Sequence, residues 1–200
     1  MTAIRACQQM SEELDDRMLI LRAKRGDREA FDQLVRSHLP RVYGLLKRIV
    51  GNHEDAEDLA QDTFTRAYFA LQGFREDSAF TTWIYRIAVH LGRDLHRSRR
   101  RKPPPLSIHR LAPGQALAAP AASPIEVTLR GELAAGVAAA LELLPYRLRV
   151  VLVLRVFEGL AYADIARVAG ITEGTARVQV VKARQLLMRV LQPMFREQSP

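Results

Sequence analysis

Apolar residues recur at three- and four-residue intervals through successive segments of the chain, the spacing of one face of an α-helix. Over Phe80–Arg101 that face is Phe80, Trp83, Ile84, Ile87, Ala88, Leu91 and Leu95, with Ser78 placed to cap it. Upstream, Leu14, Met18 and Leu21 outline a short helix that starts near Ser11 and stops at Gly26, a residue suited to the left-handed step after a helix. Asp27 caps a longer helix whose core positions run from Phe31, Leu34 and Val35 through Val42, Leu45, Leu46 and Ile49 to Gly51. Pro40 falls inside it and predicts a kink or a broken turn near Leu39, because proline lacks the N–H that the helix needs. A further pattern, Ala56, Leu59, Ala60, Phe64, Ala67 and Leu71, completes a four-helix unit with short connections over residues 11–101.

The periodicity then lapses. Residues 102–123 are rich in Pro and Ala and predict a flexible linker. Its ~22 residues reach about 65 Å when extended, close to two turns of B-DNA at ~34 Å each. A second helical unit follows over 124–192. It opens on a capping box, Ser123-Pro124-Ile125-Glu126, ahead of the stripe Leu129, Leu133, Val137, Ala140, Leu141 and Leu144. Pro145 starts the next helix, YRLRVVLVLRVF, which is apolar on most sides and so central to a small core, and Gly159 ends it. Tyr162–Ala169, Gly170-Ile171-Thr172 and Glu173–Leu191 then read as helix, three-residue turn, helix. Ala166 and Gly170 sit where a helix-turn-helix needs a small packing residue and a left-handed turn. The expected fold class is all-α: two small helical domains joined by a flexible Pro/Ala-rich linker.

A net charge of +8 points to a polyanionic partner. The charge is sorted by element. Opposite the apolar face of Phe80–Arg101, Arg86, His90, Arg93 and Arg97 form a cationic stripe that runs into Arg99, Arg100, Arg101 and Lys102. With aromatic residues at its entry, such a helix suits a phosphate backbone and unstacked bases. The third helix is acidic instead, with Asp55, Asp58, Gln61, Asp62 and Thr65 on its outer side. An acidic face in a basic protein suits a basic protein surface, and its acids also favour the positive end of the helix dipole. On the last helix Ala176, Val180, Ala183, Leu187 and Val190 face inward. Arg177, Val178, Val181, Lys182 and Gln185 face outward, a mixture of cations and methyl groups that fits a major groove.

No apolar run approaches the ~20 residues of a membrane span, and the acidic start lacks the apolar core of a signal peptide, so a cytoplasmic protein is expected. Cys7 is the only cysteine, which excludes an internal disulfide and a cysteine-based zinc site. Two other readings compete. A stand-alone helix-turn-helix regulator accounts for residues 125–191 but gives the acidic and Arg-rich helices no purpose. A metal enzyme could draw ligands from His53, Glu54, Glu57, Asp58 and Asp62, yet no second helix carries the matching Glu-x-x-His of helical di-metal sites. No cofactor or catalytic residue is expected.

DAEDLAQDTFTRAY, FREDSAFTTWIYRIA, LPYRLRVVLVLRVFEGLAYADIA and GTARVQVVKARQLL resemble, in order, the signature regions of extracytoplasmic-function sigma factors, initiation factors of bacterial RNA polymerase. The resemblance covers roughly Asp15 to Leu191. It implies that Asp58, Leu59, Gln61, Asp62 and Phe64 dock on the clamp helices of the largest core subunit. It implies that the loop Gly73–Ala79 and the helix after it capture the −10 element as it melts. Phe74, Trp83 and Tyr85 would support or stack on opened DNA; Phe74 and Trp83 fit a core place equally, and for Trp83 the core is preferred. Arg86, Arg93, Arg97 and Arg99 would hold phosphates, and His90 stands where relatives often carry an Asn near the extruded base. The second unit would read −35 duplex DNA through Thr175, Arg177, Val178, Val181 and Lys182. There the usual run resembles GTVKSRLxRAR, whereas this chain has GTARVQVVKAR. Val178 and Gln179 replace a hydroxyl and a charge, implying either a different −35 sequence or weaker binding. The linker between two apolar-cored units also permits an anti-sigma protein wedged between them, as family members often have.

Overall fold

Side chains start the helices where the sequence places the signals. The Asp27 carboxylate accepts from the Ala30 N–H at 3.1 Å, Asn52 from the Glu54 N–H at 3.0 Å, and Thr172 from the Thr175 N–H at 3.2 Å. The Ala30 bond, then the Arg22 guanidinium, hold the Asp27 carboxyl below its usual range. The computed structural model describes residues 14–101 and 134–196. These form α1 (14–24), α2 (Arg28–Val50), α3 (His53–Ala70), a 3₁₀ turn (Leu71–Gly73) and α4 (Phe80–Arg101). After the linker come α5 (134–142), α6 (Tyr146–Val156), α7 (Tyr162–Ala169) and α8 (Glu173–Arg196). Cys7, the 102–123 linker and the capping box Ser123–Glu126 with Leu129 and Leu133 lie outside the described residues.

Three local expectations need correction. α2 runs through Pro40 without a break. Pro40 and Arg36, whose carbonyl loses its partner, are both on the exposed side. Ser78 is one residue too early to cap α4: Ala79 precedes the first helical residue, and its carbonyl accepts from the Trp83 N–H at 3.2 Å. α6 ends at Val156, one residue short of the expected Phe157, which caps it, and Gly159 beyond turns with φ +70°. Gly170 does take the left-handed conformation (φ 68°, ψ 41°) between α7 and α8.

In the first unit the fully buried Leu34, Leu45, Leu46, Ile49, Ala56, Ala67, Ile84 and Ala88 bring α2, α3 and α4 together. In the second, α6 is buried on every side from Arg149 to Leu154. Its neighbours are α7 and α8 within the unit and α2 across the joint, which is why the segment is apolar around its circumference.

The two units share one contiguous apolar core, with α7 lying along α4 and α6 against α2. The joint carries directed bonds. Arg149 donates to the Ile49 carbonyl at the end of α2 (2.8 Å) and to the carbonyls of Glu142 (2.6 Å), the last residue of α5, and Leu144 (3.2 Å). Tyr146 donates to the Val89 carbonyl at 3.2 Å, and Tyr85 donates to the Glu158 carboxylate. The His96 ring stacks on Tyr146 with centroids 4.7 Å apart, and the Arg48 guanidinium lies 4.6 Å from the Phe157 ring centroid. Gly92 allows the close approach, since a methyl group there would come within 2.9 Å of the Tyr146 hydroxyl. Burial raises the phenol pKa of Tyr85 and of Tyr146, and burial lowers that of Arg149.

Candidate nucleic-acid interface

On α3 the predicted docking residues separate by periodicity. Asp58, Gln61 and Asp62 are exposed in the second and third turns of the helix, beyond Glu54 and Asp55, the first-turn acids that complement its positive end. Leu59 (8 % exposed) and Phe64 (5 %) turn into the core, so neither reaches a partner from this face. The 3.6-residue pattern had already assigned both to the core side. Farther along, Tyr68 and Phe69 expose their rings, edge to face at 5.6 Å. The sequence reading missed this pair, although both residues fall outside the core positions of the same helical pattern.

Phe74 is not free to stack on an opened base. It is 5 % exposed and forms an aromatic cluster with Phe80 (5.9 Å) and Trp83 (5.0 Å), against which His38 packs through Phe80 (5.1 Å). Trp83 is half-buried in that cluster, in line with its expected core role. The loop exposes Arg75, Glu76 and Asp77 instead, and Glu76 adopts φ +58°.

On α4 the stripe stands as the spacing predicts. Arg86, Arg93 and Arg97 are exposed, and His90 is half-buried beside them. His90 Nδ1–H donates to the Arg86 carbonyl at 2.7 Å, which leaves Nε2 of the neutral ring as an outward acceptor. Arg99 is half-exposed but ion-paired with Asp55 of α3, so it also ties two helices of the unit. Tyr85 is 1 % exposed because the second unit covers it through Glu158. Of the expected −10 residues, then, Phe74 and Tyr85 are inside and the cations and His90 are at the surface.

The helix-turn-helix places its five residues together. Thr175, Arg177, Val178, Val181 and Lys182 are all exposed on α8. Thr175 shares a 2.8 Å hydroxyl contact with the capping Thr172. Arg177 pairs with Glu173 at 2.6 Å and lies 4.7 Å from the centroid of Tyr162, which fixes its stem against α7.

Closure of the two units makes a groove of about 1010 Å³ that no single segment announces. His90, Arg93, Arg97 and Arg100 of α4 form one wall, with Leu143, Tyr146 and Arg147 opposite. Among the described residues no group of three or more His, Cys, Asp or Glu side chains is arranged to hold a metal ion. His53, the centre of the metal reading, lies 3.6 Å from Glu57 and bonds the Tyr43 hydroxyl through Nδ1 at 2.8 Å. No helix among the described residues is long and apolar enough to cross a membrane.

The Sigma-70 region 2 family matches residues 34–102, and the Sigma-70, region 4 family matches residues 135–187. The RNA polymerase sigma-H factor of Pseudomonas aeruginosa is 40% identical over 186 residues, 91% of this chain and 96% of that protein. The ECF RNA polymerase sigma-E factor of Escherichia coli K12 is 36% identical over 192 residues, 94% of this chain and 100% of that protein. Among solved structures, CnrH in complex with the cytosolic domain of CnrY superposes with a TM-score of 0.67 at 28% identity, covering 90% of this chain and 98% of CnrH. The sigma factor RpoE with the anti-sigma factor NepR from Bartonella quintana shares the fold, with a TM-score of 0.65 at 23% identity over 81% of this chain and 96% of that one. Matches to both units, in order and with the linker between them, leave the stand-alone regulator reading without support. The chain belongs to the extracytoplasmic-function branch of the sigma-70 family of RNA polymerase sigma factors.

Proposed function

We propose that this sigma factor docks on the clamp helices of core RNA polymerase through Asp58, Gln61 and Asp62, and places two DNA-reading units on a promoter. The observation that carries the reading is the exposure of an acidic face on α3 beside a cationic stripe on α4 within one helical unit. The acids match a basic protein partner, and Arg86, Arg93 and Arg97 match phosphates. The first domain, residues 11–101, captures −10 DNA as it opens, the linker 102–123 spans the promoter, and the second domain, 124–192, reads −35 duplex through α8.

Affinity comes from salt-sensitive phosphate contacts, and register from base edges met by Arg177, Val178, Val181 and Lys182. Capturing an unstacked base offsets an unstacking cost of a few kcal/mol per step. Use of Tyr85 in that capture requires Glu158 and α6 to leave α4, so the units part on the promoter. No bond is made or broken by the chain, which is not an enzyme and works in the cytoplasm. An anti-sigma partner belongs to this reading, since the structural neighbour RpoE is solved in complex with the anti-sigma factor NepR.

Run-off transcription with core polymerase on a pool of bacterial promoter fragments tests the reading. Discrete starts are expected only when the protein is present, and Asp58→Lys with Asp62→Lys is expected to abolish them. Starts that survive the double charge reversal remove the docking assignment. A protein that shifts a specific duplex alone but gives no starts removes the sigma reading.

A further inference from the structure

α1 is fastened to the segment that leads into α4 at several separate points. The Lys24 ammonium donates to the Phe74 carbonyl at 2.6 Å and lies 5.7 Å from the Phe74 ring centroid. In return the Gln72 amide donates to the Lys24 carbonyl at 2.8 Å. Two turns earlier on α1, Arg17 pairs with Glu76 at 3.0 Å. Next to Arg17, Asp16 receives the His38 Nε2–H, with both carboxylate oxygens at 2.9 Å. Asp16 is 9 % and His38 4 % exposed, and the His38 ring packs on Phe80, the first residue of α4.

Glu76 is the only non-glycine among the described residues with positive φ (+58°). An L residue stays in that conformation only where its surroundings fix it. Arg17 pairs with the Glu76 carboxylate, and Lys24 holds the Phe74 carbonyl two residues before it. A loop held at Phe74 and Glu76 presents its exposed backbone and Arg75 and Asp77 in one arrangement, so less ordering is left for the moment of base capture.

We propose that α1 is the positioning element of the −10 loop, with Lys24 and Arg17 as positioning residues that set which −10 bases the loop accepts. This rests on the reading that residues 73–79 meet the opening strand. Neither residue touches DNA in that reading; both act through the shape of the loop.

The test uses full-length protein in holoenzyme on promoters changed one base at a time in either element. Lys24→Met keeps the stem and removes the donor; Arg17→Glu reverses the charge opposite Glu76. Each is expected to lower discrimination among −10 variants by roughly three- to ten-fold while −35 discrimination holds. Glu76→Arg added to Arg17→Glu is expected to restore it. Trp83, the sole tryptophan, touches Phe74 and gives an independent readout: its acrylamide quenching should rise in Lys24→Met and Arg17→Glu.

Unchanged −10 discrimination and quenching overturn the brace. So does a loss of −10 and −35 discrimination in equal proportion, the mark of general destabilisation. A wild-type protein that gives no −10-dependent starts overturns the sigma reading instead, and the quenching comparison still judges whether α1 holds the loop.

Discussion

α4 and α8 are both basic helices with a buried apolar stripe, yet they stand differently toward DNA. The outer face of α8 is open: Val178 is 54 % and Val181 52 % exposed, with Lys182 and Arg177 beside them. α4 is covered twice. Its first face packs on α2 and α3, and a second face of Tyr85, Val89 and Gly92 is closed off by the other unit. On the proposed function, the duplex reader is open in the closed chain, while Tyr85 of the −10 reader lies beneath the second unit. On the proposed function the two units part to reach elements about two helical turns apart on B-DNA, ~34 Å each. The joint is the feature to perturb.

Arg149 is the largest lever on it. Methionine keeps the stem but leaves the Ile49, Glu142 and Leu144 carbonyls without their donor, which should cost about 2–4 kcal/mol of stability. Urea denaturation of Arg149→Met should show the loss as a lower midpoint, with limited proteolysis cutting the linker faster. An unchanged midpoint and cleavage rate would mean that the joint contributes nothing to the folded chain.

Gly92→Ala sharpens the comparison because its two effects oppose each other. Within α4 alone alanine should stabilise the helix by up to ~1 kcal/mol. At the joint its methyl would meet the Tyr146 hydroxyl, at 2.9 Å before any shift. A variant whose first unit melts higher while linker cleavage accelerates has lost the joint and kept the helix. Uniform stabilisation would place Tyr146 away from α4 in solution.

Much of this was legible in the sequence, for a physical reason. Helical periodicity records burial against a helix's own unit, so Leu59 and Phe64 were core residues by pattern even while the resemblance offered them as docking residues. The same logic placed Asp58, Asp62, Arg93 and Val181 outside. Burial by the other unit leaves no such periodic mark: Tyr85, Val89 and Gly92 lie on a second face of α4 that reads as ordinary surface until α6 arrives. Phe74 stood undecided between core and DNA because a loop has no period, and the cluster with Phe80 and Trp83 reveals its inward direction. The brace from α1 depends on contacts such as Lys24 to Phe74, fifty residues apart, which spacing cannot indicate.

The smallest expected effect is a pH dependence at the joint. Burial, followed by the charges of Arg100 and Arg149, holds the His96 imidazole below its ordinary value of 6.5. The parted or unfolded chain, with its histidine near 6.5, binds more protons than the closed chain in the range below that value. Stability of the closed form from this residue is therefore complete above about pH 6.5 and declines as the pH falls toward the lowered value. Protonation would add a cation where Arg100 and Arg149 already stand, a repulsion that opposes the attraction of a cation stacked on the Tyr146 ring. A fluorescence distance measured between labels on the two units should lengthen slightly from pH 7.5 to 5.5. His96→Phe, which keeps an aromatic ring on Tyr146 but cannot titrate, should flatten that slope. If the variant opens on acidification as the wild type does, the proton acts elsewhere, and the stack is only a packing contact.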